Sequence, residues 1–128
     1  MTIPADLKYT KDHEWVRIEG DNATFGVTDH AQEALGDIVF VELPEEGRTM
    51  AIGDAFAVVE SVKAVSDVYA PIASEIIEGN EALEASPEKV NEDPYGDGWI
   101  VKVKVTDGDT SHLMDAAAYQ TFLDAAQN

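Results

Sequence analysis

The chain has no cysteine. That excludes a disulfide framework, a thiolate nucleophile and any Cys-ligated zinc or iron–sulfur centre, so redox chemistry here must be brought in from outside. Cations are nearly as scarce: 8 Lys and Arg stand against 26 Asp and Glu, a net charge of −18. Binding a phosphate backbone relies on clustered cations that release counterions, so neither nucleic acid nor an anionic membrane surface is an expected partner. No apolar run approaches ~18 residues, and Met1-Thr2-Ile3-Pro4-Ala5-Asp6 lacks the basic and apolar segments of a signal peptide. The expectation is a soluble, cytoplasmic protein.

Enzyme signatures are sparse too. Gly96 and Gly98 begin a G-x-G pattern, but position 101 is Val; there is no G-K-[ST] phosphate loop and no G-x-S-x-G elbow. His13, His30 and His112 do not fall at metal-ligand spacing, and Asp107-Gly108-Asp109 lacks the remainder of a calcium loop. Paired carboxylates are too common in this chain to identify a site.

What is present suffices for a core. With 128 residues and 45% apolar composition, including two Trp, four Tyr and four Phe, residues 1–128 are expected to form one globular domain. The excess of acid reads as a hydrated surface suited to a high-salt cytoplasm, where a Debye length of ~3 Å at molar salt relieves self-repulsion.

Short strands dominate the pattern. Trp15–Ile18 and Ala23–Thr28 flank the turn residues Glu19-Gly20-Asp21-Asn22, and Ile38–Leu43 ends at Pro44. Ala55–Ser61 and Val65–Ala70 enclose Val62-Lys63-Ala64; Ala73–Glu78 and Trp99–Val105 follow, the last alternating Val with Lys. Asp29 is a candidate N-cap for a helix ending at Gly36, and Ser86 one for a helical turn over Pro87–Val90. After Thr110, Met114, Ala118, Phe122 and Ala126 recur every fourth residue, with Leu113, Tyr119 and Leu123 beside them, predicting an amphipathic helix over one end of the sheets. The fold class expected is mostly β: a sandwich or barrel-sandwich hybrid with short peripheral helices and a C-terminal helix.

Lys63 stands apart. A hairpin tip between two apolar strands would hold its amine outward on a rigid base, as an acylating enzyme requires, although a lysine at a turn is most often only a solvated charge. Its surroundings, Glu60-Ser61-Val62-Lys63-Ala64-Val65-Ser66-Asp67, resemble the lipoyl-lysine segment of glycine cleavage system H proteins. The likeness continues through Tyr9–Val16, Gly26–Gln32, Leu35–Pro44, Asn80–Leu83, Val90–Gly96 and Gly98-Trp99. It spans about Tyr9 to Leu123 in blocks of the same order.

That resemblance implies a lipoyl-domain-like fold and a non-catalytic carrier, with lipoic acid joined by an amide to Lys63. The implied partners are four. Glycine decarboxylase (the P protein, pyridoxal-phosphate dependent) loads an aminomethyl group, and a tetrahydrofolate-dependent aminomethyltransferase (the T protein) removes it. Dihydrolipoyl dehydrogenase (the L protein) reoxidises the dithiol, and a lipoylating enzyme attaches the group. A monomer is expected. By the same resemblance Glu60 serves lipoylation recognition, and Glu14 and Asp67, with Asp12 nearby, line a cleft sheltering the cationic aminomethyl-lipoyl arm. Gly47 matches a family glycine at a turn requiring positive φ. Ser74, where many relatives have Gly, and Ala34, where some have His, depart from the pattern. Asn91–Gly98 reads as a structural loop with Trp99 as a core anchor.

Two other readings stand beside this one. Another swinging-arm domain is possible, but biotin carriers usually place Met on both sides of the lysine, where this chain has Val62 and Ala64, and dehydrogenase lipoyl domains are normally tethered by linkers absent here. An unmodified acidic binding module has only composition in its favour.

Overall fold

A computed structural model describes residues 2–126. Among the described residues, nine strands form two antiparallel sheets. Strands β1 (Lys8–Tyr9), β2 (Glu14–Glu19), β3 (Asn22–Val27), β5 (Thr49–Met50), β8 (Ser74–Gly79) and β9 (Val101–Val105) make a six-stranded sheet, ordered β1-β2-β3-β9-β8-β5. The other sheet has three strands, β4 (Ile38–Glu42), β6 (Ala55–Ser61) and β7 (Val65–Tyr69), with β6 at the centre. This is the expected sandwich, with helices α1 (Asp29–Leu35), α2 (Ala82–Ala85), α3 (Lys89–Glu92) and α4 (Ala116–Ala126) at its margins.

Alternation builds the core. Val101 and Val103 point inward while Lys102 and Lys104 face water, and Phe25, Val16 and Ile76 continue the inner face of the larger sheet. Val41, Ala57, Val59 and Val68 supply the opposing layer from the smaller one. Each such large side chain contributes ~1.5–3 kcal/mol relative to exposure, so the two inner faces hold the sheets together. A second cluster, Leu7, Tyr9, Trp15, Tyr119 and Leu123, joins α4 to the β1 edge, with the Tyr9 and Tyr119 rings stacked at 4.7 Å.

Trp15 lies across its register partner Gly26, where an added Cβ would sit 2.6 Å from the indole. The missing side chain in β3 is therefore what lets the indole lie there, and its Nε1–H donates to the Pro94 carbonyl at 2.9 Å. The residue before it, Glu14, inherits a fixed position from that packing.

Several local expectations are corrected. Thr28, not Asp29, caps α1: its hydroxyl accepts from the Ala31 amide, while Asp29 is the first helical residue and accepts from Gln32 Nε2. The turn expected over Pro87–Val90 lies later, at Lys89–Glu92, and Ser86 instead closes α2. The buried face of α4 is formed by Tyr119 and Leu123; Met114 precedes the helix and bridges to Tyr9, because packing against Tyr9 rotates the aromatic side chain inward. Trp99 is only half-buried, its ring covered by the Lys102 ammonium at 4.7 Å; Trp15 is the fully buried tryptophan. Asn91 and Glu92 belong to α3 rather than to a loop. Gly47 adopts φ 84° as expected, and Ser74 opens β8 buried, its hydroxyl donating to the Ile72 carbonyl at 3.1 Å. Ala34 is exposed on α1. Strands β1 and β5, two residues each, are too short to leave a period in the sequence.

Candidate functional site

Lys63 sits at the exposed tip of the β6–β7 hairpin, closed by the pairing of Glu60 with Val65. One side chain organises the turn. The Ser61 hydroxyl oxygen accepts from the Lys63 amide at 3.2 Å and the Ala64 amide at 3.0 Å, while the Ser61 amide donates to the Ala64 carbonyl at 2.8 Å. A serine replaces backbone acceptors in this way where a turn is too tight for a regular ladder. The backbone of the tip is thereby ordered while the lysine ammonium has no hydrogen-bond or ion-pair partner among the described residues.

A second loop braces the tip. The Val62 amide donates to the Asp37 carbonyl at 3.1 Å, and the stem of Lys63 lies over Gly36, whose added Cβ would meet Cε at 3.4 Å. Gly36 has φ 82° and ψ −159°, a conformation suited to glycine, and ends α1 there. Asn91 holds this loop from below: its Nδ2 donates to the Gly36 carbonyl at 2.9 Å and to Gln32 Oε1 at 3.0 Å, and its Oδ1 accepts from the Ile38 amide at 2.8 Å.

Glu14 belongs to a different environment. It begins β2 after the turn Thr10–His13, in which His13 takes a left-handed φ of 67° and its amide donates to the Thr10 carbonyl. Although only 2% exposed, Glu14 forms no ion pair among the described residues. The Thr10 hydroxyl donates to Oε1 at 2.6 Å and the Tyr69 amide to Oε2 at 3.3 Å. Burial pushes its carboxyl up to about 7 against those two hydrogen bonds, and the nearby Asp12 charge adds to the rise. Glu14 lines an open cleft of about 310 Å³ with Thr10, Lys11, Asp12, Tyr69 and His112, the last bonded through Nε2 to the Pro71 carbonyl at 2.7 Å.

The candidate residues thus separate. Glu14 and Asp12 share one cleft. Asp67 lies on β7 between the lysine turn and Tyr69, lining another cleft of about 330 Å³ with Glu42, Arg48 and Val58. Glu60 is half-buried, three residues before Lys63. Ser61, Asn91 and Thr10, which hydrogen-bond to the lysine turn, its bracing loop and Glu14, are not singled out by the sequence. Ser61 and Thr10 leave a signal, a hydroxyl residue opening a turn; Asn91 and the Tyr69 amide act across the fold and leave none.

A family model described as "Glycine cleavage H-protein" matches residues 7–126. The chain belongs to the glycine cleavage H-protein family. It is 58% identical over 126 residues to the glycine cleavage system H protein of Thermus thermophilus, covering 98% of each chain. It is 60% identical over 120 residues to that of Halorhodospira halophila, covering 92% of each. The crystal structure of a glycine cleavage system H protein from Mycobacterium marinum superimposes with a TM-score of 0.85 at 41% identity, over 98% of this chain and all of that one. Family membership makes this chain the carrier component of the glycine cleavage system, working with that system's other components. No described helix is long and apolar enough to cross a membrane.

Proposed function

We propose that Lys63 is the lipoyl-bearing residue and that the chain itself carries an aminomethyl group without catalysing a reaction on it. The group travels from glycine decarboxylase to the tetrahydrofolate-dependent aminomethyltransferase, and dihydrolipoyl dehydrogenase reoxidises the carrier. The observation that carries this reading is the exposed, unpartnered amine on a turn ordered by Ser61 and braced by the Gly36 loop. An amide there removes a charge that the fold does not use, so modification costs no internal contact. When bound, the lipoyl group supplies a dithiolane that accepts the one-carbon unit through sulfur.

Glu14, with Asp12 beside it, is suited to receive a cationic amine. A carboxyl pushed up to about 7 by burial, with no ion-pair partner among the described residues, is held away from water at a cost. An arriving ammonium would favour the ionised carboxylate, whose proton leaves to solvent, and the pair would keep the amine protonated, so that the nitrogen lone pair cannot help expel sulfur. Asp67 lies on the way from the turn to Tyr69 and offers a second carboxylate along that path.

Intact-mass and peptide analysis of the chain from cells cleaving glycine should find lipoyl on Lys63. Lys63→Arg should keep the melting temperature and abolish glycine cleavage. An unmodified Lys63 in such cells, or full flux through the arginine variant, would overturn the reading.

A further inference from the structure

A buried polar line runs from α4 through the start of α1 to the turn before Glu14. The Tyr119 hydroxyl lies 2.8 Å from Thr28 Oγ1 and 2.8 Å from His13 Nδ1, and Thr28 Oγ1 also accepts from the Ala31 amide at 3.2 Å. Tyr119 and Thr28 are both fully buried, so each hydroxyl proton needs an acceptor within the line. Counting protons fixes the direction. Among the described residues the Thr28 hydroxyl hydrogen has only the Tyr119 oxygen to meet, so Thr28 donates to Tyr119, Tyr119 donates to His13, and His13 Nδ1 accepts. The proton of the neutral His13 ring is then on Nε2.

The line ends where the backbone needs holding. Among the described residues His13 is the only non-glycine one with positive φ, at 67°. That conformation reverses the chain between Thr10 and Glu14: the His13 amide donates to the Thr10 carbonyl, the Thr10 amide to the Glu14 carbonyl at 3.0 Å, and the Glu14 amide to the Thr10 hydroxyl oxygen at 3.1 Å. Thr28 grips His13 twice, directly through its amide on the His13 carbonyl at 3.0 Å and indirectly through Tyr119 on the ring. His30 of α1 packs on the same ring with centroids 4.4 Å apart.

We propose that Tyr119 and His13 are positioning residues for Glu14, with the Tyr119 hydroxyl locking the His13 ring and, through it, the left-handed turn that delivers the Glu14 carboxyl to its cleft. The proposal rests on Glu14 being the group that receives the amine. It makes the C-terminal helix part of the sheltering apparatus although no α4 residue lines that cleft. An L residue held at positive φ relaxes when its side chain is released, and a shift of about 1 Å is enough to spoil a hydrogen bond that must form on arrival. The lock requires a neutral His13. A proton on Nδ1 would set two donors against the Tyr119 oxygen and leave the tyrosine proton without an acceptor. The ionisable groups around the ring are Asp12 and Glu14 beside it in the chain, His30 on α1 and Tyr119 on α4. Burial, then His30, holds His13 below the ordinary imidazole range, while Asp12 opposes them.

The test uses the full chain with two readouts: the Glu14 midpoint by carbon NMR in the unmodified protein, and the lifetime of the lipoylated protein after loading by the decarboxylase. Tyr119→Phe removes one hydroxyl and keeps the ring that stacks on Tyr9. It should shorten the lifetime about fivefold and lower the Glu14 midpoint by about one pH unit, because a released turn lets water reach the carboxyl. His13→Ala should match it. His13→Asn, which supplies an oxygen in place of Nδ1 and tolerates positive φ, should stay within about twofold of the parent lifetime. Tyr9→Phe is the structural control: it removes a hydroxyl from the same cluster, one bonded to the Pro4 carbonyl, and should leave both readouts unchanged. Nitrogen NMR of the parent at pH 8 should find His13 Nδ1 bare and Nε2 protonated. A parental midpoint in Tyr119→Phe, an equal shift in Tyr9→Phe, His13→Asn as impaired as His13→Ala, or a proton on Nδ1 would each overturn the assignment. If Tyr119→Phe fails to fold, the two His13 variants decide. A shifted midpoint in Tyr119→Phe with an unchanged lifetime in Glu14→Ala would instead sink the sheltering reading and leave the positioning role standing.

Discussion

The lysine turn and the Glu14 cleft treat their charged groups in opposite ways. The turn spends its hydrogen bonds on backbone: Ser61 binds two amides, Asn91 braces the loop beneath, and the lysine head is left to solvent. At the cleft the hydrogen bonds go to the side chain, and the carboxyl is buried with two donors and no ion-pair partner among the described residues. The proposed roles fit this contrast: a lysine to be modified needs a stiff base and a free tip, and a carboxyl proposed to receive a cation is better placed where water competes poorly and its own charge is costly until a partner arrives.

The sharpest way to break this contrast is at Glu14. Glu14→Ala should shorten the lifetime of the aminomethyl-loaded carrier about tenfold or more, measured as spontaneous release of the one-carbon unit, with little change in lipoylation rate. Equal lifetimes would remove the proposed sheltering role.

The unloaded chain offers a second probe. Because burial raises the Glu14 carboxyl from 4.5 to about 7, the folded state binds more protons than the unfolded state between those pH values. Stability therefore falls as pH rises through that window, by no more than about 3 kcal/mol from this group. Melting curves of the parent and Glu14→Gln at pH 5.5 and 8 should differ in this slope, and superimposed slopes would show a carboxyl that titrates normally.

Ser61→Ala should cost about 1 kcal/mol in global stability, yet slow acylation of Lys63 while leaving the Glu14 pH slope untouched. Ser61→Thr, which keeps the hydroxyl, should restore acylation. Salt separates the regions most gently. Raising it to molar should lift the melting temperature of a chain with net charge −18 by a few degrees. The Glu14 midpoint, set mainly by burial, should move little. A flat melting response would count against the salt-adapted reading of the surface.

Much of the fold was legible because its signals are local. Val101, Val103 and Val105 alternating with lysines announce a half-buried strand, and Val62-Lys63-Ala64 between two apolar runs announces a hairpin. Helix ends were less legible because neighbouring residues compete for the same cap: Thr28 and Asp29 are both good N-caps, and the bond to Ala31 selects Thr28. Periodicity every fourth residue marked the last helix but not its inward side, which the stacking of Tyr119 on Tyr9 decides.

By itself the order of residues determined the alternation that makes strands, the turn that exposes Lys63 and the negative balance of the surface, since each depends on neighbours along the chain. Only the tertiary structure decided that Glu14 is buried, that Asp67 faces a different cleft from Glu14, and that Phe40, Glu60 and Val65 form one row. Those facts depend on which distant strands lie side by side, and burial and register are properties of that pairing rather than of any single segment.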